Sequence, residues 1–235
     1  MIHIRPGKSG AINSLDIIIR SNWCNRRALA RTVVRILSAL CVSFSASLYA
    51  ADTAVGESLY APCITCHGAD GAGVAAMNAP ALAGQDGDYL KRQLHHFKSG
   101  VRGNDPRDLF GKQMQGMAAL LADETAVTNV VAYIGSLPAA TTSAVTGHDQ
   151  RNGEVQYNAA CGACHGPGGK GNPSMNAPRL AGLDAAYLRR QYQNFAEGIR
   201  GSHEDDRLGR QMQMMATMLS TEKDLDDVIG YLLSQ

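Results

Sequence analysis

The sequence is poor in several features that mark specialised classes of protein. Aromatic residues make up 6% of its 235 residues, and tryptophan occurs once. No apolar run reaches the ~20 residues that a membrane-spanning helix needs. No segment alternates between apolar and polar residues as a half-exposed strand does. These absences argue against a bundle of membrane helices and against a sheet-rich fold, and they leave an ordinary globular composition.

Cysteine is scarce outside two short motifs. Of the six cysteines, Cys24 and Cys41 lie within the first fifty residues, and the other four lie in two CxxCH pentapeptides. No disulfide framework is implied by this distribution.

The first fifty residues have the pattern of a secretory signal. An apolar run over 36–48, diluted with serines, ends before a small residue, Ala50, and is preceded by four arginines: Arg26, Arg27, Arg31 and Arg35. The alternative, a retained membrane anchor, needs a longer apolar run. We therefore predict a leader over 1–50, cleavage after Ala50 and a periplasmic mature protein.

The rest of the chain has 15 basic and 20 acidic residues, a charge of −5 that disfavours binding to nucleic acid.

The mature chain is an internal duplication with an offset of 98 residues. The offset places Cys63 on Cys161 and His67 on His165, and the match continues to the end of the chain. Between the halves lies a stretch of small residues without periodicity, which indicates a linker. We predict two domains, 51–137 and 148–235, joined by a linker over 138–147.

Both halves are predicted to be helical. Val127, Val130, Val131 and Ile134 have helical spacing, and residues 225–232 repeat the same stripe. Asp123 and Thr221 stand where N-caps are expected. A middle helix is predicted over 88–99, with its counterpart in the second half. The predicted fold class is therefore all-α, with two small tandem domains.

Each CxxCH motif is the signature of covalent haem attachment. On a helix, Cys63 and Cys66 share one face, as do Cys161 and Cys164, so both thiols of a pair can form thioethers with one porphyrin. His67 and His165 then reach the iron. A redox dithiol or half of a zinc site would also use CxxC, but neither explains a histidine that follows both copies. Two haem c groups are predicted.

Methionines that recur in both halves are candidates for the sixth iron ligand. His/Met ligation raises the potential of a haem. Two pairs recur at suitable distances, Met114 with Met212 and Met117 with Met215. We favour Met117 and Met215, 50 residues after their histidines and just before the final helix, where a short loop could present the sulfur. Met114 and Met212 are interpreted as apolar side chains that fill the core.

Four motifs shared by both halves resemble the two-domain, dihaem class I cytochromes of the cytochrome c-four type over the whole mature chain. They are the CxxCHGxxGxG segments, the Asn-Ala-Pro-x-Leu-Ala-Gly stretches, the Tyr-Leu-x-x-Gln-x-x-x-Phe helices and the Gly-x-Gln-Met-x-x-Met-Ala segments. The resemblance implies two class I cytochrome c domains. It also implies that the carbonyls of Pro80 and Pro178 orient the histidine rings, and that Met117 and Met215 match the family's axial ligands.

The resemblance further implies a one-electron carrier without enzymatic activity. Its partners would be membrane respiratory complexes, such as a bc complex and a terminal oxidase, or other redox proteins, through transient docking and without a small-molecule substrate. Two alternatives remain open: a subunit that carries electrons from a dehydrogenase complex, or a small dihaem enzyme acting on peroxide or thiosulfate. Arg102 and Arg200 are candidates for neutralising haem propionates, although solvated arginines at helix ends would have the same pattern.

Overall fold

The computed structural model describes residues 51–143 and 145–235, and Ala51–Gln235 form one compact unit. The leader predicted for 1–50 and its cleavage site lie outside the described residues. Within the described ranges there is no strand, only two isolated bridges, Val74–Ala79 and Asn172–Ala177. None of the described helices is long and apolar enough to cross a membrane.

The two halves repeat one order of helices, which confirms the predicted all-α fold. Repeat one contains α1 (Thr53–Tyr60), α2 (Ile64–His67), α3 (Gly87–Ser99), α4 (Leu109–Ala118) and α5 (Glu124–Ser136). Repeat two contains α6 (Gln150–Ala160), α7 (Gly162–His165), α8 (Ala185–Ala196), α9 (Arg207–Met215) and α10 (Glu222–Leu233). In repeat one a 3-10 turn over Ala61–Cys63, with Pro62 at its start, joins α1 to α2.

Side-chain caps fix where the long helices begin. The predicted caps are both present: Asp123 accepts from the Ala126 N–H at 2.8 Å and Thr221 accepts from the Asp224 N–H at 3.1 Å. Asp86 and Asp184 cap α3 and α8 in the same way. A cap of this kind stabilises a helix by about 1 kcal/mol, so the helix starts are set locally by the sequence.

The first and last helices of each repeat cross at close range and form the core. The predicted stripe on α5 is confirmed, with Val127, Val130, Val131 and Ile134 all buried. The glycines on the facing helices, Gly56 on α1 and Gly153 on α6, allow the approach. A Cβ atom at either position would lie 2.1 Å from a backbone oxygen of the partner helix.

The segment predicted as a linker is packed against both repeats. Ala140 is buried and its N–H donates to the Ala83 carbonyl of repeat one at 3.4 Å. Thr142 donates to the Leu233 carbonyl of repeat two at 3.1 Å. These contacts attach the connecting chain to both halves.

A buried carboxylate distinguishes α10 from α5. Asp227 accepts hydrogen bonds from Lys223 Nζ, Asn152 Nδ2 and the Asp149 N–H, and these donors lower its pKa to about 2. The equivalent residue of repeat one is Asn129, a neutral side chain that accepts from the Asp52 N–H at 2.9 Å. Only repeat two therefore has an ionised carboxylate at this position.

We expect Asp227→Asn to flatten the acid dependence of stability. An aspartate has a pKa of about 3.9 when unfolded, and Asp227 has one of about 2 when folded. The stabilisation it contributes is therefore fully present above pH ~4 and is lost as the pH falls through ~2. Urea unfolding of parent and variant between these pH values measures the difference, with Asp88→Asn as the control because Asp88 is an exposed aspartate in the first turn of α3. Equal pH slopes in parent and Asp227→Asn would contradict the assignment.

Candidate functional site

Each CxxCH motif lies on a single helical turn held by the tyrosine that precedes it. Tyr60 Oη donates to the Gly68 carbonyl at 2.9 Å, and Tyr157 Oη donates to the Gly166 carbonyl at 2.6 Å. Both tyrosines are fully buried, so each anchors the end of its motif to the core. The rigid turn keeps the two thiols and the histidine of a motif at fixed relative positions.

The four motif cysteines lie near the surface of this fold and form no disulfide with one another. Cys63, Cys66 and Cys161 are half-buried and Cys164 is exposed. Burial, followed by the neighbouring Cys164, raises the pKa of Cys161 to about 11. Burial also raises the pKa of Cys63. Each pair retains some exposure to solvent, and its attachment to a haem stays a prediction.

The two motif histidines are buried and held in one orientation. Nδ1 of His67 lies 2.9 Å from the Pro80 carbonyl oxygen, and Nδ1 of His165 lies 2.9 Å from that of Pro178. A carbonyl can only accept, so Nδ1 carries the proton and Nε2 keeps a free lone pair. Burial lowers the pKa of both rings, against a smaller opposite effect of the carbonyl. This is the arrangement that an imidazole ligand of a metal needs.

The recurring methionines of both halves lie on helices α4 and α9. Met117 and Met215 lie in the last turns of α4 and α9, rather than in a loop. In repeat two, the sulfur that approaches the histidine is that of Met212, 3.5 Å from His165 Nε2. Met215 is 38% exposed. Met215 also lines the cavity that contains His165 and Met212, so the assignment of Met117 and Met215 as ligands stays a prediction.

The donor atoms of repeat two meet at one cavity. It has a volume of about 240 Å³, and its wall includes Cys161, Cys164, His165 and Met212. Most of the remaining wall is apolar, and part of it, including Leu82, comes from repeat one. A covalently bound haem with His/Met ligation needs two thiols for attachment, and an imidazole nitrogen and a thioether sulfur for its iron. The apolar cavity contains all four groups, so the residues fit the predicted cofactor.

A buried polar cluster connects the repeats beside this cavity. It comprises three residues from each half: Tyr89, Gln93, Arg102, Tyr187, Gln191 and Arg200. Arg102 donates to Gln93 Oε1 at 2.7 Å and to Gln191 Oε1 of the other repeat at 3.0 Å. Arg200 makes the same two contacts with the repeats exchanged, at 2.7 and 2.8 Å.

Both arginines are deeply buried, which excludes the solvated alternative for them. Arg102 and Arg200 are each 8% exposed, and each stacks on a phenylalanine ring at 4.5 Å. Their hydrogen-bond acceptors are amide and phenol oxygens, not carboxylates, and the Nε atoms have no partner. Two buried cations with spare donors are suited to anionic carboxylates of a bound group. The sequence indicated the arginines, but the shared role of Gln93 and Gln191 could not be read from it.

We expect Arg102→Gln to lower the reduction potentials of both haem sites. Removing a buried cation makes the addition of an electron less favourable, and Arg102 contacts both repeats. A loss on the order of 1 kcal/mol corresponds to roughly 40 mV for a one-electron site. Redox titration measures the shift, with Arg107→Gln as the control because Arg107 is an exposed arginine paired with Asp105. Unchanged potentials in Arg102→Gln would contradict this role.

Comparison with known proteins identifies the family of the chain. The sequence profile of the cytochrome c family matches residues 53–138 and 150–235. The chain is 34% identical to cytochrome c4 of Azotobacter vinelandii over 193 residues, 78% of this chain and 89% of that protein. It is 35% identical over 164 residues to a thiosulfate dehydrogenase electron acceptor of Stutzerimonas stutzeri, 66% of this chain and 72% of that protein.

Solved structures give the same result for the fold. Reduced recombinant cytochrome c4 from Pseudomonas stutzeri superposes with a TM-score of 0.65 at 29% identity, covering 79% of this chain and 99% of that one. A thiosulfate dehydrogenase from Marichromatium purpuratum superposes with a TM-score of 0.62 at 28% identity, covering 77% of this chain and 40% of that one. Both similarities extend over the two repeats together.

The matches and the geometry lead to one conclusion. Each repeat is a cytochrome c domain that carries a covalently attached haem c with its iron, and the two together make a dihaem electron carrier that exchanges electrons with other redox proteins. The chain belongs to the cytochrome c family and is a dihaem protein of the cytochrome c4 type.

Proposed function

We propose that the chain is a periplasmic one-electron carrier in which His67 and Met114 hold one iron and His165 and Met212 hold the other. The observation that carries this proposal is the 3.5 Å approach of Met212 Sδ to His165 Nε2 at the apolar cavity. With both His165 and Met212 as ligands, the iron would have no open position for a substrate. Such a site supports electron transfer without bond making.

The residues of the chain have separate tasks in this carrier. The cysteines anchor the haem, which supplies the redox-active iron. The proline carbonyls hold the histidine rings in one tautomer and orientation. The buried arginines hold positive charge next to both sites, which favours the reduced state. None of these tasks requires proton transfer or a bound substrate, so we propose that the protein is not an enzyme.

Optical spectroscopy of the purified ferric protein tests this proposal. We expect a near-infrared sulfur-to-iron band whose intensity accounts for both haems, and no high-spin signal. Turnover of peroxide, or one high-spin haem in the parent protein, would contradict the carrier and favour a dihaem enzyme.

For the proposed export, the mature protein is expected to begin at Ala51, which N-terminal sequencing measures.

The donor and acceptor are proposed as a bc complex and a terminal oxidase. A second candidate, electron acceptor of a thiosulfate dehydrogenase, is favoured by the similarity to proteins with that name. The two differ in which donor reduces the oxidised protein quickly. Stopped-flow reduction by a bc complex with quinol, or by a thiosulfate dehydrogenase with thiosulfate, separates them. Thiosulfate without the dehydrogenase is the control, and reduction by it alone would indicate an enzyme.

A further inference from the structure

One peptide group in repeat two lies between two hydrogen bonds that involve different repeats. The Pro178 carbonyl accepts from His165 Nδ1 at 2.9 Å. The N–H of the same peptide group, that of Arg179, donates at 2.8 Å to Oε1 of Gln85, a residue of repeat one. Gln85 Nε2 donates in turn to the Arg179 carbonyl at 2.9 Å. A single side chain from repeat one thus pairs twice with the backbone next to the residue that orients His165.

The same arrangement is not available to repeat one. The offset of 98 residues places Leu183 opposite Gln85, and Leu183 is an apolar side chain buried in the core of repeat two. It cannot accept from Ala81, the residue that follows Pro80. The bonds from His67 and His165 to their prolines are equal in length, so the two sites differ in what supports the proline peptide.

The contact between Gln85 and Arg179 is held in place by its surroundings. Gln85 Oε1 also accepts from the Asp86 N–H at 3.1 Å, which fixes the side chain at the start of α3. From the same helix, Arg92 Nη2 donates at 2.9 Å to the carbonyl of Asn176, two residues before Pro178. Arg190 makes the equivalent contact with the Asn78 carbonyl of repeat one at 2.7 Å, so the contact of Gln85 is what distinguishes the two turns.

A donated N–H makes the carbonyl of the same amide a stronger acceptor, because hydrogen bonds in a chain polarise one another. A stronger acceptor at Nδ1 raises the basicity of the histidine that ligates a metal. A more basic ligand stabilises the oxidised iron more than the reduced iron. The chain of bonds from Gln85 through the peptide to His165 therefore lowers the reduction potential.

We propose that Gln85 is a positioning residue for the haem site of repeat two, and that it lowers the potential of this site by strengthening the bond from His165 to Pro178. The proposal rests on the proposed function only in that His165 ligates the iron. The role of Gln85 goes beyond the proposed function, because it makes the potentials of two haem sites with the same ligand types unequal. It also assigns this difference to a residue of the other domain.

The test uses the two-haem protein with Gln85→Leu, which copies the residue at the equivalent position of repeat two. We expect the ratio of reduced to oxidised haem in repeat two to rise about fivefold at a fixed potential, as for the loss of one ordinary hydrogen bond. This corresponds to roughly 40 mV for a one-electron site. In NMR spectra of the reduced protein, exchange of the His165 Nδ1 proton with solvent becomes faster, and that of His67 is unchanged.

Gln85→Glu is the matched variant, since a carboxylate still accepts from the Arg179 N–H. It is expected to leave the His165 proton protected and the potential of repeat two no higher than in the parent. A Gln85→Leu protein with unchanged His165 exchange and potential would overturn the proposal. Equal changes at both haems would overturn it too, because they indicate a loosened contact between the repeats. A high-spin haem in the parent protein would instead contradict the proposed function.

Discussion

Met212→Ala is expected to remove the sulfur ligand of one haem, whereas Met215→Ala is expected to leave both haems unchanged. Met212 Sδ lies 3.5 Å from His165 Nε2, and Met215, one turn further along α9, is 38% exposed. Without the thioether, the ferric iron of repeat two becomes high-spin or binds water. Its potential is expected to fall by on the order of 100 mV or more, because axial ligands set haem potentials over about 0.8 V.

The near-infrared sulfur-to-iron band and a redox titration measure this result. In Met212→Ala the band is expected to lose half its intensity, and one of the two potentials falls. Met114→Ala and Met117→Ala form the matched pair in repeat one, where Met114→Ala is expected to have the large effect. Loss of the band in Met215→Ala, with Met212→Ala unaffected, would restore the ligand predicted from the sequence and contradict Met212.

Gly153→Ala is expected to destabilise repeat two by about 3 kcal/mol or more, at the upper end of what overpacking costs. The added Cβ would lie 2.1 Å from the Asp227 carbonyl oxygen of α10. This atom is backbone, so α6 and α10 would have to separate, and the helix propensity gained by the substitution, about 1 kcal/mol, is too small to compensate. Since α6 leads directly into the second CxxCH motif, haem attachment is expected to suffer as well.

Chemical unfolding followed by circular dichroism measures the loss. Gly56→Ala is the same experiment in repeat one, with the Cβ 2.1 Å from the Asn129 carbonyl oxygen. Gly135→Ala on α5 is the control, because no atom of another element lies within 4 Å of its Cβ position. It is expected to be neutral or slightly stabilising. If Gly153→Ala unfolded at the same denaturant concentration as Gly135→Ala, the close helix crossing would not be essential to the fold.

The helices of this protein could be predicted from sequence because their signals are local. The stripe that contains Val127 and Ile134 predicted α5, and Asp123 and Thr221 cap the helices they were expected to cap. The duplication predicted two equal halves, and both contain the same order of helices. Apolar spacing, caps and repeats all depend on residues within a few turns of one another, so a single sequence reveals them.

The sequence alone does not decide which methionine is the ligand. Met212 and Met215 are three residues apart, and both are apolar side chains near the end of α9. Which of them faces His165 depends on the rotation of α9 about its axis, since three residues advance a helix by about 300°. That rotation is set by packing between elements that are distant in the sequence. Distance from the histidine along the chain therefore gave no basis for choosing between them.

The sequence by itself determined the covalent chemistry: two CxxCH motifs that specify two haem c groups, in two similar helical domains. Tertiary structure alone decided how the domains differ and what they share. It buried Arg102 and Arg200 in one cluster, brought Met212 to His165, and placed Gln85 of repeat one on the Pro178–Arg179 peptide of repeat two. The physical reason is that attachment depends on residues adjacent in the chain, whereas the environment of each iron is built from contacts across some 50 to 100 residues.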